Sequence, residues 1–324
     1  MRLSTALRPL TFLFALCLGG AFAQTNISIA TGGTGGVYYP YGGGLAEVIN
    51  QHVEGYSAVA EATGASEENV ALIFQGDSDI ALALADTVFQ AYSGTGAFEG
   101  REISNLRALG SIYPNAVHIV TLAGTGITSL SDLSGKRVSL GAPGSGTTIS
   151  AEALLGANDV SLDDMQVQRL DFNETTAALR DGQIDAGFLS VGPPTSSILD
   201  LAATRDVVLV PLTEAEVAAA QEVDPSYAPY TMSAETYPGQ TEDVLALSTP
   251  NVLIVAEEMD EELAYNVVKA LYENVDELIA IHPAANDTTV EFSMASTPIP
   301  LHPGALRYYE EVGAEVPERL VSGQ

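Results

Sequence analysis

Two glycine-rich turns carry the residues that are best suited to bind a small ligand. In the first, residues 31–36 (TGGTGG) follow a strand-like run and precede a helix-like one. Closely spaced glycines let the backbone approach a ligand, and a helix start offers unpaired N–H groups and a positive dipole end to a carboxylate or phosphate. Tyr38 and Tyr39 would add aromatic walls and hydroxyl donors. A tight turn whose glycines only permit packing explains this pattern equally well.

The second turn, residues 141–148 (GAPGSGTT), is close to a nucleotide phosphate-binding loop. Thr147 stands where that loop needs a lysine to neutralise the phosphates, so the sequence argues against an NTPase. Ser145, Thr147 and Thr148 would either bind an anion at the helix start or cap the helix. Two such turns in two halves of the chain favour binding, because open α/β sheets hold ligands beyond the carboxyl ends of their strands.

No set of residues predicts catalysis or a metal centre. The four histidines, His52, His118, His282 and His302, are scattered, and we expect each to be structural. The sequence lacks the G-x-S-x-G and H-E-x-x-H motifs, and its single cysteine is Cys17. We therefore predict a protein that is not an enzyme and needs neither cofactor nor metal.

Composition narrows the class of partner. The chain has 324 residues, which suggests about two domains, and 46% of them are hydrophobic, which argues against disorder. It contains 12 Lys and Arg and 42 Asp and Glu. The resulting net charge of -30 argues against nucleic acid or an anionic membrane as a partner. We expect a monomer that binds a small molecule. Adaptation to high salt, which screens the repulsion, is our hypothesis for the excess of acids.

Residues 1–23 are typical of a cleaved secretory signal. They contain a positive start with two arginines, an apolar run over residues 10–18 and a small-x-small cleavage site that ends at Ala23. The apolar run is shorter than the about 20 residues that span a bilayer. An uncleaved anchor and lipidation of Cys17 are the less favoured alternatives. Cleavage would leave a protein of the periplasm.

The rest of the chain alternates strand-like and helix-like runs, which predicts an α/β fold. Strands are expected at residues 27–30, 57–60, 80–84, 117–120, 138–141, 184–189, 207–210 and 252–256. Helices are expected at residues 41–52, 67–74, 147–155, 260–282 and 306–312. The segment 225–240, which is rich in Tyr and Pro, is expected to be an irregular surface excursion.

Six collinear stretches of the sequence resemble a known family. They are residues 31–46 (TGGTGGVYYPYGGGLA), 110–120 (GSIYPNAVHIV), 129–147 (SLSDLSGKRVSLGAPGSGT), 179–188 (LRDGQIDAGF), 236–244 (TYPGQTEDV) and 298–313 (PIPLHPGALRYYEEVG). The chain resembles, almost from end to end, the TAXI-type solute receptors of tripartite ATP-independent periplasmic (TRAP) transporters.

The resemblance implies a two-lobed periplasmic binding protein of the type II kind, in which two parallel or mixed sheets are joined by hinge strands. It places residues 24–118 and 250–324 in a first lobe and residues 119–249 in a second lobe. It further implies that closure of the lobes traps a ligand, which the receptor delivers to the TRAP membrane subunits. Uptake in that family is driven by an ion gradient rather than by ATP.

The resemblance also implies a set of ligand-binding residues in the two turns and at the crossover between lobes. They are Thr31, Gly32, Gly33, Thr34, Gly36, Tyr38, Tyr39, Asp86, Tyr113, Gly144, Ser145, Gly146, Thr147, Thr148 and Pro194. Two positions near these residues depart from the family pattern. Leu84 and Ala85 replace the two amides that often precede Asp86, and Val191-Gly192 replaces an Ala-Gly pair.

Family members are associated with glutamate, glutamine and related dicarboxylates or hydroxy acids. Neither turn contains Lys or Arg, so we expect backbone N–H groups, hydroxyls and helix dipoles to hold the ligand carboxylate. Arg169 is the first cation to consider as an additional contact, although a surface position suits it better. The alternative function is an exported sensing subunit that presents its ligand to a signalling partner.

Overall fold

A computed structural model describes residues 24–321, so the expected signal at residues 1–23 lies outside the described residues. The strands are β1 Thr25–Ala30, β2 Tyr56–Glu61, β3 Ile80–Leu84, β4 Leu106–Leu122, β5 Arg137–Ser139, β6 Gln166–Gln168, β7 Ala186–Val191, β8 Val207–Leu209, β9 Ala228–Met232 and β10 Val244–Ala256. The helices are α1 Tyr38–His52, α2 Ser66–Gln75, α3 Ala85–Ser93, α4 Gly146–Ala157, α5 Phe172–Arg180, α6 Ser196–Ala202, α7 Glu214–Val223, α8 Glu261–Glu273, α9 Val275–Ile281, α10 Val290–Ser296 and α11 Pro303–Glu311.

The strands form one mixed sheet in the order β2-β1-β3-β10-β4-β7-β5-β6, with β8 added beside β4 and β9 beside β10. The outer strands β1, β2 and β3 are parallel to one another, and so are β5, β6 and β7. The long central strands β4 and β10 are antiparallel to each other and join the two parallel sets. The expected α/β fold with hinge strands is therefore confirmed, with the two sets fused into one continuous sheet.

The two central strands divide the molecule into two lobes. Pro114 of β4 lies opposite Pro250 of β10, and the register shifts between Pro250 and Val252. The first lobe contains β1 to β3, α1 to α3 and α8 to α11, and the second contains β5 to β9 and α4 to α7. The predicted boundaries at 118/119 and 249/250 stay a prediction. The pairing itself passes from one lobe to the other near the two prolines.

Each lobe has an apolar interior. A large cluster that contains Ile29 and Val267 of the first lobe extends through the hinge to Leu179 of the second lobe. A smaller cluster that contains Leu154 and Phe188 fills the rest of the second lobe. No helix of residues 24–321 is both long and apolar enough to cross a membrane. The same residues contain no cluster of three or more His, Cys, Asp or Glu side chains placed to hold a metal ion.

Most residues of the segment 225–240 are exposed or half-buried, as its composition predicts, but the segment is not irregular throughout. It contains β9, an edge strand that tolerates the missing N–H of Pro229, and its Tyr227 and Tyr237 are almost fully buried. The Tyr237 hydroxyl lies 2.9 Å from His118 Nε2. Burial is therefore made possible by a hydrogen-bond partner from another part of the chain, which the local sequence does not reveal.

The long helix expected at residues 260–282 is two helices, α8 and α9. Asn274 separates them with a non-helical backbone (φ -125°, ψ 26°), and its side-chain amide donates to the carbonyl of Ala270 at 2.8 Å. An asparagine competes for backbone hydrogen bonds in this way and ends a helix. The helix expected at residues 306–312 begins earlier, at Pro303, because proline is well suited to a first helical position.

All four histidines have structural partners. His118 is buried between β4 and β7, where its Nδ1 lies 2.9 Å from the carbonyl of Ala116. Burial lowers the pKa of His118 to about 4, so it is neutral at pH 7. His282 and His302 each accept a hydrogen bond from the backbone N–H two residues later. His282 thereby caps a short 3-10 helix, Pro283–Asp287, and His302 caps α11. His52 pairs with Glu277 at 3.0 Å.

Candidate functional site

A cavity of about 240 Å³ lies between the two lobes. The first lobe contributes the turn after β1, the loop after β2 and the end of β3, and the second lobe contributes the turn after β5, the start of α5 and the end of β7. The lining residues are Gly32, Gly33, Gly36, Val37, Tyr38, Thr63, Gly64, Ala65, Ser66, Leu84, Asn115, Ala142, Ser145, Gly146, Thr147, Asp171, Phe172, Glu174, Ser190 and Val191.

Five helices begin at this cavity. Their N-cap residues all line it: Val37 for α1, Ala65 for α2, Leu84 for α3, Ser145 for α4 and Asp171 for α5. The convergence follows from the topology, because each helix leaves the carboxyl end of a strand at the same edge of the sheet. Five positive dipole ends therefore face one small space.

Four of the five helix starts lack a side-chain cap. Only α5 has one, because Asp171 and the first-turn Glu174 bond to each other's backbone N–H groups. At α4, the N–H groups of Gly146 and Thr147 have no acceptor among residues 24–321. These unpaired donors at the cavity are suited to a carboxylate or a similar anion.

The cavity has carboxylates but no cationic side chain. Asp171 and Glu174 are part of its lining, whereas none of the lining residues described above is Lys, Arg or His. Arg169, the cation considered from the sequence, lies outside the lining and pairs with Glu152 at 2.6 Å. An anionic group of a ligand would thus meet backbone N–H groups, as expected, while the α5 edge would attract a positive group.

Seven of the residues implied by the resemblance line the cavity, and eight do not. The lining seven are Gly32, Gly33, Gly36, Tyr38, Ser145, Gly146 and Thr147. The eight outside it are Thr31, Thr34, Tyr39, Asp86, Tyr113, Gly144, Thr148 and Pro194. Their ligand-binding role remains a prediction, and the structure gives most of the second group another task.

Thr31 and Thr148 hold backbone within their own lobes. The Thr31 hydroxyl donates to the carbonyl of Glu61 at 2.6 Å, and the Thr148 hydroxyl donates to that of Leu140 at 3.1 Å. Tyr39 is exposed on α1. These three side chains therefore point away from the cavity or are engaged elsewhere.

The remaining positions lie at the boundary between the lobes. The Thr34 hydroxyl accepts a hydrogen bond from Asn173 at 3.5 Å, and the carbonyl of Pro194 accepts one from His282 at 3.0 Å. Tyr113 is fully buried in the hinge, where its ring centroid lies 5.1 Å from that of Tyr41.

Tyr38 forms part of the cavity wall. Its hydroxyl donates to Asn251 Oδ1 at 2.6 Å, and burial raises its pKa well above the usual value, so the phenol is neutral. The amide of Asn251 in turn donates to Asn115 Oδ1, and the amide of Asn115 donates to the carbonyl of Ser190. A hydrogen-bonded chain thus runs beneath the cavity from the first lobe through the hinge strands to the second lobe.

Ser190 is a cavity residue that the sequence reasoning missed. It is 4% exposed, and its hydroxyl has no partner within residues 24–321, although buried hydroxyls are nearly always hydrogen-bonded. It lies at the end of β7, so the rule that ligands lie beyond strand ends is the signal that would have indicated it. Thr63 and Ser66, which come shortly after β2, also line the cavity and were also missed. The same rule about strand ends would have indicated them.

The lobes are in contact on both sides of the cavity, and each caps a helix of the other. The carbonyl of Gly35 in the first turn accepts from the start of α6, with the Ser197 N–H at 3.3 Å and the Thr195 hydroxyl at 3.0 Å. The carbonyl of Gly144 in the second turn accepts from the start of α2, with the Glu67 N–H at 3.0 Å. The cavity is thereby held between closed lobes.

Comparison with solved structures identifies the fold. Periplasmic aliphatic sulphonate binding protein SsuA from Escherichia coli is 14% identical, with 88% of this chain and 83% of that chain covered at a TM-score of 0.50. The alkanesulfonate-binding protein SsuA from Xanthomonas axonopodis pv. citri bound to MOPS is 16% identical, with 90% and 91% covered at 0.50. A putative L-cystine ABC transporter protein from Listeria monocytogenes is 14% identical, with 83% and 98% covered at 0.51.

At these identities the likeness shows the fold alone, which is the two-lobed architecture of periplasmic binding proteins. The sequence itself gives a closer relation. Residues 29–313, which include both turns, the hinge strands and every cavity-lining residue, match the NMT1-like family. The chain is therefore a member of the NMT1-like family.

Proposed function

We propose that the protein is an extracytoplasmic solute receptor of the TAXI type, which captures a small amino acid between its lobes and delivers it to the membrane subunits of a TRAP transporter. The observation that carries the proposal is the convergence of five helix starts, four without a side-chain cap, on one cavity between two lobes. The lobes would close on the ligand and open at the membrane partner.

The lining favours an amino acid over a dicarboxylate. One carboxylate is matched by the unpaired N–H groups at Gly146 and Thr147. A second carboxylate would find no cationic side chain among the lining residues and would be repelled by Asp171 and Glu174. Those two side chains suit an ammonium group instead. Val37, Leu84 and Phe172 leave room for an apolar part of the ligand.

The descriptions of the structurally similar proteins support the proposal that the ligand is a small charged solute. Two are described as binding proteins for aliphatic sulphonates and a third as belonging to a putative L-cystine transporter. A sulphonate is a single anionic group, and cystine carries both carboxylates and ammonium groups. The lobe boundaries of the proposed receptor are 118/119 and 249/250, and a signal peptide ending at Ala23 would export it to the periplasm.

A matched set of compounds tests the ligand class. Calorimetry with L-glutamate, L-glutamine and glutarate compares an amino acid with a compound that differs only in lacking the ammonium group. We expect L-glutamine, which has one carboxylate and one ammonium group, to bind most tightly. L-glutamate should bind more weakly because of its second carboxylate, and glutarate should be rejected. Glutarate binding as tightly as glutamate would contradict the amino-acid proposal, and binding of none of a wider panel of amino and organic acids would contradict the receptor proposal.

Ser190→Ala tests the location of the site. It removes a hydroxyl that has no hydrogen-bond partner within residues 24–321, so we expect stability to be kept and affinity to fall about fivefold or more through loss of a ligand hydrogen bond. Ser197→Ala is the control, because it removes an equally buried and unpartnered hydroxyl outside the cavity. Equal affinity in both variants would place the ligand elsewhere.

The transporter class is tested by uptake. With the membrane subunits reconstituted in vesicles, a TRAP partner predicts uptake that needs the receptor and an ion gradient and continues without ATP. Uptake that stops on removal of ATP would assign the receptor to an ABC-type partner. A ligand response that needs a signalling protein and no permease would support the sensing alternative.

A further inference from the structure

A buried carboxylate joins the two lobes without touching the ligand cavity. Asp86 stands in the first turn of α3 in the first lobe and is fully buried. Its Oδ2 accepts hydrogen bonds from the hydroxyl of Ser150 at 2.6 Å and from that of Tyr227 at 2.8 Å. Both donors belong to the second lobe, one on α4 and one just before β9.

The two oxygens of this carboxylate have separate tasks. Oδ1 accepts from the N–H and the hydroxyl of Thr87, its neighbour in the chain, and would keep these bonds in any arrangement of the lobes. Oδ2 is bonded only across the lobe boundary. Every partner is a donor, which suits an ionised carboxylate because that group only accepts.

We infer that Asp86 is a positioning residue that sets ligand affinity by holding the lobes closed through Ser150 and Tyr227. The inference deepens the proposed function, since closure is what would trap the solute. The bond to Ser150 lies one turn along α4 from Gly146 and Thr147, which line the cavity and whose N–H groups have no acceptor among residues 24–321. We call the contacts of Asp86 with Ser150 and Tyr227 the latch. Helix α4 therefore links the latch to the anion-binding end of the site.

Because Asp86 is buried, its contact with Ser150 and Tyr227 has two stable states, one with the lobes closed and one with the lobes open. Within the closed molecule Oδ2 has no access to water. Burial raises the pKa of Asp86 above its usual value, and the hydrogen bonds from Ser150, Tyr227 and Thr87 limit that rise. Loss of the hydroxyl donors would leave a buried charge unsatisfied, which is costly. The latch is stable with its donors in place or with the lobes apart and water admitted.

The first measurement needs no ligand. In a Cys17→Ser background of the full chain, two cysteines are introduced at the exposed helical positions Gln51 and Ala218, one on each lobe, and spin-labelled. Distances between the labels then report the closed fraction of the ligand-free protein. We expect Tyr227→Phe to shift the distribution to longer distances, and Ser150→Ala to act in the same direction.

The effect should depend on the carboxylate. In an Asp86→Ala background there is no buried charge to strand, so we expect Tyr227→Phe to have no further effect on the distances. Tyr230→Phe is the control, because the Tyr230 hydroxyl lies in the same segment and is hydrogen-bonded to no other residue of 24–321. Identical distances in wild type and Tyr227→Phe, or equal shifts in both backgrounds, would overturn the inference.

The second measurement uses L-glutamate or L-glutamine, whichever binds the wild type. We expect Tyr227→Phe to weaken affinity about tenfold through faster dissociation, with the association rate little changed. Urea unfolding of the ligand-free variant should be close to wild type, whereas a merely structural role would lower stability and affinity together. If no compound binds but the distances shift as expected, the latch stands and the proposed function fails. If binding and distances are both unchanged in the variant, the latch fails and the function stands.

Discussion

The two glycine-rich turns occupy equivalent places in the two lobes but use glycine for different reasons. None of the glycines in the first turn, residues 31–36, has a positive φ. In the second turn, Gly141 and Gly144 have φ values of 96° and 75°, in the region that side chains disfavour. The second turn therefore needs glycine at 141 and 144 for its own backbone shape, whereas the first turn has no such need, and both turns also use glycine where the other lobe comes close.

The closeness of the two lobes at a glycine is measured by the distance from an added methyl group to the nearest atoms of the other lobe. At Gly36 it would lie 3.0 Å from the ring of Phe172 in the second lobe. At Gly146, where α4 begins, it would lie 2.6 Å from the Ser66 hydroxyl and 2.8 Å from Leu84, both in the first lobe. Glycine at these two positions makes closure possible, and glycine at 141 makes the fold possible. Substitutions should separate the two roles.

The largest effect on binding is expected from Gly146→Ala. Alanine favours the helix start in the separate lobe, so the stability of the ligand-free protein should be kept, but the added methyl overlaps the first lobe on closure. Such overpacking costs about 1–3 kcal/mol, so affinity should fall by about 5- to 150-fold. Calorimetry with the amino acid that binds the wild type measures the loss, and an unchanged affinity would contradict the role of this glycine.

The largest effect on folding is expected from Gly141→Ala. The positive φ and a methyl contact of 2.8 Å with Thr147 of the same turn are both unfavourable in any arrangement of the lobes. We expect the free energy of unfolding in urea to fall by about 1–3 kcal/mol. A variant as stable as wild type but defective in binding would show that both turns use glycine in the same way.

A smaller effect on binding is expected from Gly36→Ala. Phe172 is half-buried at the cavity edge and can move by a few tenths of an ångström, so we expect affinity to fall by about fivefold with stability unchanged. Phe172→Leu in the same chain should restore part of the loss. Failure of this second substitution to restore any affinity would argue that the contact across the lobes is not the cause.

The smallest effect is expected from Gly33→Ala. Gly33 lines the cavity, but an added methyl would meet no atom within 4 Å and the φ is not positive. Affinity and stability should both stay within about twofold and about 0.5 kcal/mol of wild type. A large loss of affinity here would indicate that the ligand contacts this glycine directly, and would bring the first turn closer to the ligand than the second.

Local sequence was sufficient to predict both turns, the strands that precede them and the helices that follow. Glycine clusters and apolar periodicity are properties of neighbouring residues, and the structure has them where the sequence placed them. The partners of Asp86 are different, because Tyr227 lies 141 positions further along the chain. The resemblance implied a ligand-binding role for Asp86, which stays a prediction, but nothing in the sequence indicated its hydrogen bonds to the opposite lobe.

The cavity-lining residues that the sequence missed share this origin. Ser190, Asn115 and Thr63 are ordinary polar residues in their own segments. Only the fold brings them together, from the end of β7, the middle of β4 and the loop after β2. The burial of Tyr237 likewise depends on His118, which lies in another strand. Contacts between distant segments have no local signature, so composition alone predicted a surface excursion where the chain forms an edge strand.

Closure of the two turns on one amino acid is the central claim, and small-angle X-ray scattering of the full chain tests it most directly. The radius of gyration is measured with and without the saturating amino acid, for wild type and for Gly146→Ala. We predict that the wild type becomes more compact on binding and that Gly146→Ala stays expanded. A wild type that binds the amino acid with no change in its radius of gyration, or a Gly146→Ala protein that compacts equally at equal occupancy, would contradict the claim.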